Sequence, residues 1–184
     1  MKRYVALLRG INISGNNKIS MKELQIALED HNFLNVITYG NSGNVIFTTK
    51  FQRIKKVKEK VELLIKEKFN LDIPVYITTI DELEIYFETA PTWWNTDNKK
   101  IYDNMIFIIP PTTYQEVYEE IGEAKTEYER IKNYKDIVYW SFNLENYSKT
   151  NWIKTANSSI NDKVTIRTAN TIKKILELND KKCN

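Results

Sequence analysis

Apolar and polar positions switch between two periods along this chain. Lys2 to Arg9 carries apolar residues on both faces, the mark of a strand central in a sheet. Ser20-x-x-Glu23 then has capping-box spacing, and Met21, Leu24, Ala27, Leu28 and His31 recur at helical intervals behind it, which predicts an amphipathic helix to about Asp30. Val36 to Tyr39 and Val45 to Thr48 read as two short strands. The Gly-Asn-Ser-Gly-Asn between them is turn chemistry, so they form a hairpin. A second helix is predicted from about Arg53 to Lys68, with Ile54, Val57, Val61, Leu64 and Ile65 on one face, followed by a strand over Ile73 to Thr78.

Beyond this point the same order recurs. Thr79-x-x-Glu82 caps a short helix from about Asp81 to Thr89, and a polar connector with Trp93 and Trp94 leads to Asp103. Asn104 to Ile109 is an apolar strand that Pro110-Pro111 stops. Thr113-x-x-Glu116 opens a helix to about Gly122. Thr126 to Lys132 and Ile137 to Phe142 read as strands around an Asn133-Tyr134-Lys135-Asp136 turn. A helix over Ser148 to Asn157, a strand over Val164 to Arg167 and a last helix from about Asn170 to Leu178 complete the chain, with Ile172, Ile175 and Leu176 on the inner face. The expected fold is α+β, two tandem ferredoxin-like β-α-β-β-α-β units with mainly antiparallel sheets, plus the C-terminal helix. The expected divisions are 1–79, a short helix and connector over 80–103, and 104–184.

Composition narrows the class without naming a function. The chain has 184 residues, 42% hydrophobic and 28% charged, ordinary values for a globular protein. Its net charge of +3 comes from 27 cations and 24 anions spread over both halves, too small an excess to call for nucleic acid. The one cysteine, Cys183, permits no disulfide framework and fits a reducing compartment. The opening Lys2-Arg3-Tyr4-Val5 reads as a strand and not as a signal peptide, and no apolar run is long enough for a membrane span, so a cytoplasmic location is expected.

Topology brings two polar stretches together. In the predicted unit the first two strands run parallel, so the loop Gly10–Lys18 and the hairpin turn Gly40–Asn44 leave the sheet at one edge. Arg9, Asn12, Lys18, Tyr39, Ser42 and Asn44 are gathered there. Arginine and lysine neutralise anionic oxygens, glycine lets the backbone approach them, and the helix start at Ser20 adds partial positive charge. This is the composition of a phosphate or carboxylate pocket. The competing reading is that the glycines and asparagines only serve left-handed turn conformations. Near the C-terminus, Arg167, Asn170 and Thr171 stand where a strand meets a helix. They are candidates for a third wall, against the simpler role of helix capping by Thr168 or Asn170.

The quoted stretches resemble the bacterial domain-of-unknown-function family 1697. The resemblance rests on Tyr4-Val-Ala-Leu-Leu-Arg-Gly-Ile-Asn12, Asn17-Lys18, Met21, Leu24, Tyr39, Ser42-Gly-Asn-Val-Ile-Phe47 and, near the C-terminus, Thr165-Ile-Arg167 with Asn170-Thr171. The chain departs from the family pattern at Ser14, Asn41 and Thr168-Ala169. The resemblance implies an α+β fold with two ferredoxin-like halves and implies no activity.

Other chemistry is weighed by elimination. Ser42 in Gly40-x-Ser-Gly lies between strands, whereas a nucleophile elbow needs strand-turn-helix, and His31 is the only histidine. One histidine and one cysteine hold no zinc, and no cofactor motif is present. Ferredoxin-like sheets also bind RNA through aromatics on their central strands. Tyr4 and Phe47 are the candidates here, without the accompanying signature, so nucleic acid is not expected as a partner. The four tryptophans are assigned to packing between the halves. The leading expectation is a small anionic ligand, phosphorylated or nucleotide-like. An interaction or assembly module is the second reading, since the two-faced apolar strands Tyr4–Leu8 and Met105–Ile109 must be covered by each other or by a further subunit of a homo-oligomer. An enzyme of unknown class acting through Tyr39 or Lys18 is the third.

Overall fold

Strand β1 (Lys2–Leu8) is the organising element of the first sheet in the computed structural model, which describes residues 1–180. It lies between β3 (Asn44–Thr49) and β4 (Val75–Thr79), and β2 (Leu34–Tyr39) pairs outside β3. The order β2-β3-β1-β4 is antiparallel at every neighbour. Tyr4, Ala6 and Leu8 on one face of β1 pack with Leu24 and Leu28 of helix α1 (Met21–Asp30) and with Val57, Val61, Leu64 and Ile65 of α2 (Ile54–Phe69). Each such aliphatic side chain contributes roughly 1.5–3 kcal/mol by leaving water. The Ser20 hydroxyl accepts from Glu23 N at the start of α1, and Asn70 ends α2 in the left-handed conformation at φ 54°. Val5, Leu7, Ile46 and Tyr76 on the opposite face are at most 1% exposed.

The second sheet repeats the first. Its order is β6-β7-β5-β8, from β5 (Ile101–Ile108), β6 (Glu129–Tyr134), β7 (Ile137–Asn143) and β8 (Val164–Thr168), again antiparallel throughout. Two backbone bonds establish the correspondence. Leu8 N donates to Gly43 O and Arg9 N to Pro74 O in the first sheet; Ile108 N donates to Asp136 O and Ile109 N to Lys163 O in the second. Helix α3 (Ile80–Glu88) follows β4 as α5 (Ala169–Asp180) follows β8, and Thr79 and Thr168 each cap the helix after them with the side-chain hydroxyl. Helix α4 (Tyr114–Ile121) opens on a complete Thr113–Glu116 capping box. The architecture is α+β, two four-stranded antiparallel sheets with interleaved helices and a C-terminal helix.

One expected element takes another form. The helix read over Ser148 to Asn157 is a series of short 3₁₀ turns at Leu144–Lys149, Trp152–Ala156 and Asn161–Lys163. Side chains of this stretch bond to carbonyls in place of a helical ladder. Thr150 Oγ1 donates to Tyr147 O at 2.8 Å, Thr155 Oγ1 to Trp152 O at 2.6 Å, and Asn151 Nδ2 to Ile121 O and Glu123 O at 2.7 and 2.8 Å.

By compactness the chain divides into a unit of Met1–Ile85 with the stretch from Ile175 onward, and a unit of Tyr86–Lys174. Among the described residues no helix is long and apolar enough to cross a membrane. Cys183 lies outside the described residues.

Candidate functional site

The edge where β1 ends carries most of the residues singled out by the sequence. Leu8 N donates to Gly43 O at 2.8 Å, and Asn12 Nδ2 donates to Asn41 O at 2.9 Å, so the loop after β1 and the β2–β3 turn lie against each other. Arg9 N donates to Pro74 O, which brings the start of β4 to the same edge. The loop is built from unusual backbone: Gly10, Asn12, Ser14, Gly15 and Asn17 all have positive φ, as do Gly40 and Gly43 in the facing turn. Three of these are asparagine or serine, residues that tolerate the left-handed region by bonding locally.

The asparagines hold the loops together. Asn12 receives Ile19 N on Oδ1 and returns Nδ2 to Ile19 O, both at 2.9 Å, closing the loop across seven residues. Asn17 Nδ2 donates to Gly10 O, and Asn44 Nδ2 donates to Tyr39 O and to Ser42 Oγ. Asn44 is buried, Asn12, Arg9 and Tyr39 are half-buried, and Lys18 and Ser42 are exposed. The framework therefore rests on amide side chains, while the Lys18 cation stands at its surface. No carboxylate occurs between Met1 and Lys22 or between His31 and Lys58. Asp72, two residues before Pro74, is engaged by Lys66 at 2.9 Å.

Arg167, Asn170 and Thr171 belong to the second unit. Arg167 is 6% exposed, opposite Met105 in the ladder, and donates to Thr165 Oγ1 and Ile166 O at 2.8 Å. Thr168 Oγ1 accepts from Thr171 N, the capping role foreseen for it. Asn170 is exposed and lines a 450 Å³ cleft with Thr168 and Asp103. His31 uses Nδ1–H on Ala27 O at 2.7 Å, at the C-terminal end of α1.

Two aromatic assignments change. Tyr4 and Phe47 are fully buried beneath α1 and α2, with the Tyr4 hydroxyl donating to Phe51 O and Gln52 O, so they offer no surface for a base to stack on. Trp140 and Trp152 sit in the core of the second unit, and Trp94 packs edge-on against Phe87 and Tyr139 and donates to Asn104 O. These three tryptophans serve the interior of one unit.

The second unit also holds polar groups that periodicity did not flag. Glu129, 2% exposed, accepts from Lys125 N, Asn151 N, Trp152 N and Trp140 Nε1. Asp103, 8% exposed, accepts from the Ser141 hydroxyl across the β5–β7 ladder and from the backbone of Asn95 and Thr96, which pins the connector. The only sequence signal was an acidic residue inside the strand read over Thr126 to Lys132 for Glu129, and Asp103 was read as the end of the connector, whereas β5 begins at Ile101. Burial pushes the Asp103 carboxyl above its ordinary range, and its hydrogen bonds pull less strongly the other way. A raised carboxyl makes the folded state bind more protons than the unfolded one. Its contribution is thus full below the ordinary carboxylate pKa and is lost as pH rises through the raised value. Urea titrations between pH 3 and 7 should show Asp103→Asn flattening that decline; an unchanged slope would exclude Asp103 as its source.

A family model described as protein of unknown function (DUF1697) matches residues 1–139, which include both loops of the first edge and stop before Arg167. No curated protein matches the chain. Among solved structures it is similar to a conserved bacterial protein from Streptococcus pneumoniae, with 29% identity, 96% of this chain and 97% of that one covered, and a TM-score of 0.83.

Proposed function

The chain belongs to the family of unknown function DUF1697, and from that premise we propose that it binds a small anionic molecule, phosphorylated or nucleotide-like, at the loop edge of its first sheet. The observation that carries the reading is the charge of that edge. Arg9 and Lys18 are cations at a loop edge whose two loops carry no acidic residue in their sequence. The asparagine bonds support it, because a loop held in left-handed conformations by its own amides is ordered before the ligand arrives and loses less entropy on binding. Glycine-rich backbone at φ > 0 is also the conformation in which successive amides form anion-binding concavities. The composition, with its single cysteine, matches a ligand drawn from the cytoplasm.

Thermal melts in inorganic phosphate, sulfate and adenosine monophosphate test the proposal. A ligand at a hundred times its Kd adds about 2.7 kcal/mol to stability, a shift of several degrees. Arg9→Gln and Lys18→Ala should each lose most of that shift. Lys18 is exposed, so its replacement removes charge with no effect on packing. Equal protection of wild type and both variants by every anion would refute the site.

A further inference from the structure

The two units differ in what covers one face of the sheet, and the difference opens a cleft in the second. In the first unit the 16-residue helix α2 covers the sheet, and Tyr4 fills the space beneath it. The corresponding position in β5 is Asn104: Tyr4 pairs with Phe47 and Thr79, Asn104 with Trp140 and Thr168. A phenol is thus replaced by a carboxamide, and the covering helix by 3₁₀ turns. Both changes remove volume over the same face. What remains is a cleft of about 290 Å³ whose floor is Tyr102, Asn104, Trp140, Phe142 and Ile166. Leu144, Tyr147 and Ala156 of the turns form its walls.

We propose that this cleft binds a single planar heteroaromatic ring system, with the Asn104 carboxamide reading the polar edge of the ring. The Phe142 ring centroid lies 4.5 Å from that of Trp140, 5.2 Å from Tyr147 and 5.6 Å from Tyr102, a continuous aromatic lining suited to stacking. Tyr102 and Tyr147 remain 41% and 42% exposed, so the lining is reachable from solvent. Asn104 is 4% exposed, yet its side chain makes one long bond, Nδ2 to Tyr102 O at 3.4 Å. Among the described residues its Oδ1 meets no donor. Asn104 Oδ1 is not among the described side-chain atoms that are sealed from solvent without a partner, so it stays reachable by a ring that enters the cleft. It presents a donor and an acceptor side by side, the pair that matches the edge of an adenine-like ring. The volume is at the low end for ligand sites and suits one ring system.

Adenine and toluene, titrated separately into the full chain, test this by calorimetry and by the Trp140 indole resonance. Adenine should bind saturably and more tightly than toluene. Asn104→Leu should weaken adenine by about tenfold and leave toluene unaffected. Tyr147→Ala, at an exposed position, should weaken adenine by about fivefold or more with the fold intact. No saturable binding, adenine affinity equal in both variants and wild type, or toluene binding as tightly as adenine would overturn the proposal. Lys18→Ala should leave adenine binding unchanged, which separates this test from that of the anion site.

Discussion

Replacing Glu129 with alanine is expected to destabilise the second unit by roughly 3–5 kcal/mol, among the largest effects available to one substitution in this chain. The carboxylate is buried, and its two oxygens receive Asn151 N at 2.6 Å, Trp140 Nε1 at 2.7 Å, Lys125 N at 3.0 Å and Trp152 N at 3.2 Å. All of these partners are donors. Removal of the acceptor strands several N–H groups, each worth about 1–3 kcal/mol when unsatisfied, and water entering the cavity recovers part of that loss. Glutamine is no remedy, since its amide nitrogen would be aimed at N–H groups, so Glu129→Gln should fall within about 1 kcal/mol of alanine. Chemical denaturation followed by tryptophan fluorescence reads both. A glutamine variant as stable as wild type would show that a single oxygen suffices.

Gly43→Ala should cost about 2–4 kcal/mol, through two separable causes. Gly43 has φ +78°, where an alanine is strained by roughly 1–2 kcal/mol. A Cβ there would also lie 2.5 Å from Leu8 Cβ and 3.0 Å from Ile11 Cδ1. Leu8 Cβ is fixed to the β1 backbone, so the turn must move away from the strand, and the bond from Leu8 N to Gly43 O must lengthen. Gly40, three residues earlier at φ +61°, meets nothing within 4 Å. Gly40→Ala therefore carries the conformational strain alone, and the gap between the two variants measures the clash. Equal unfolding midpoints for both would show that the turn shifts without cost.

The strands and most helices were legible because their signals are local. The capping spacing at Ser20 and Thr113, the faces of α1 and α2 and the hairpin glycines all act within a few residues. The crossover after β7 escaped because its apolar residues sit at helical spacing while Thr150, Asn151 and Thr155 compete for the backbone, and the partners of Asn151 lie on α4 and beyond it. The loop edge was legible as a place, since parallel β1 and β2 require it. The division of labour within it was not, because Asn12 and Asn44 look like ligand groups until their bonds to Ile19, Asn41, Tyr39 and Ser42 are seen.

The residue pattern alone thus specifies two four-stranded units, the helices α1 and α2 of the first, and the edge where the Gly- and Asn-rich loops meet, because hydrophobic period and turn chemistry are properties of short segments. Burial of Tyr4 and Phe47, the donors gathered by Glu129 and the open aromatic cleft at Asn104 came from three-dimensional packing. Each depends on residues far apart in the chain, and the same side chain is core, anchor or ligand contact according to what the fold sets beside it.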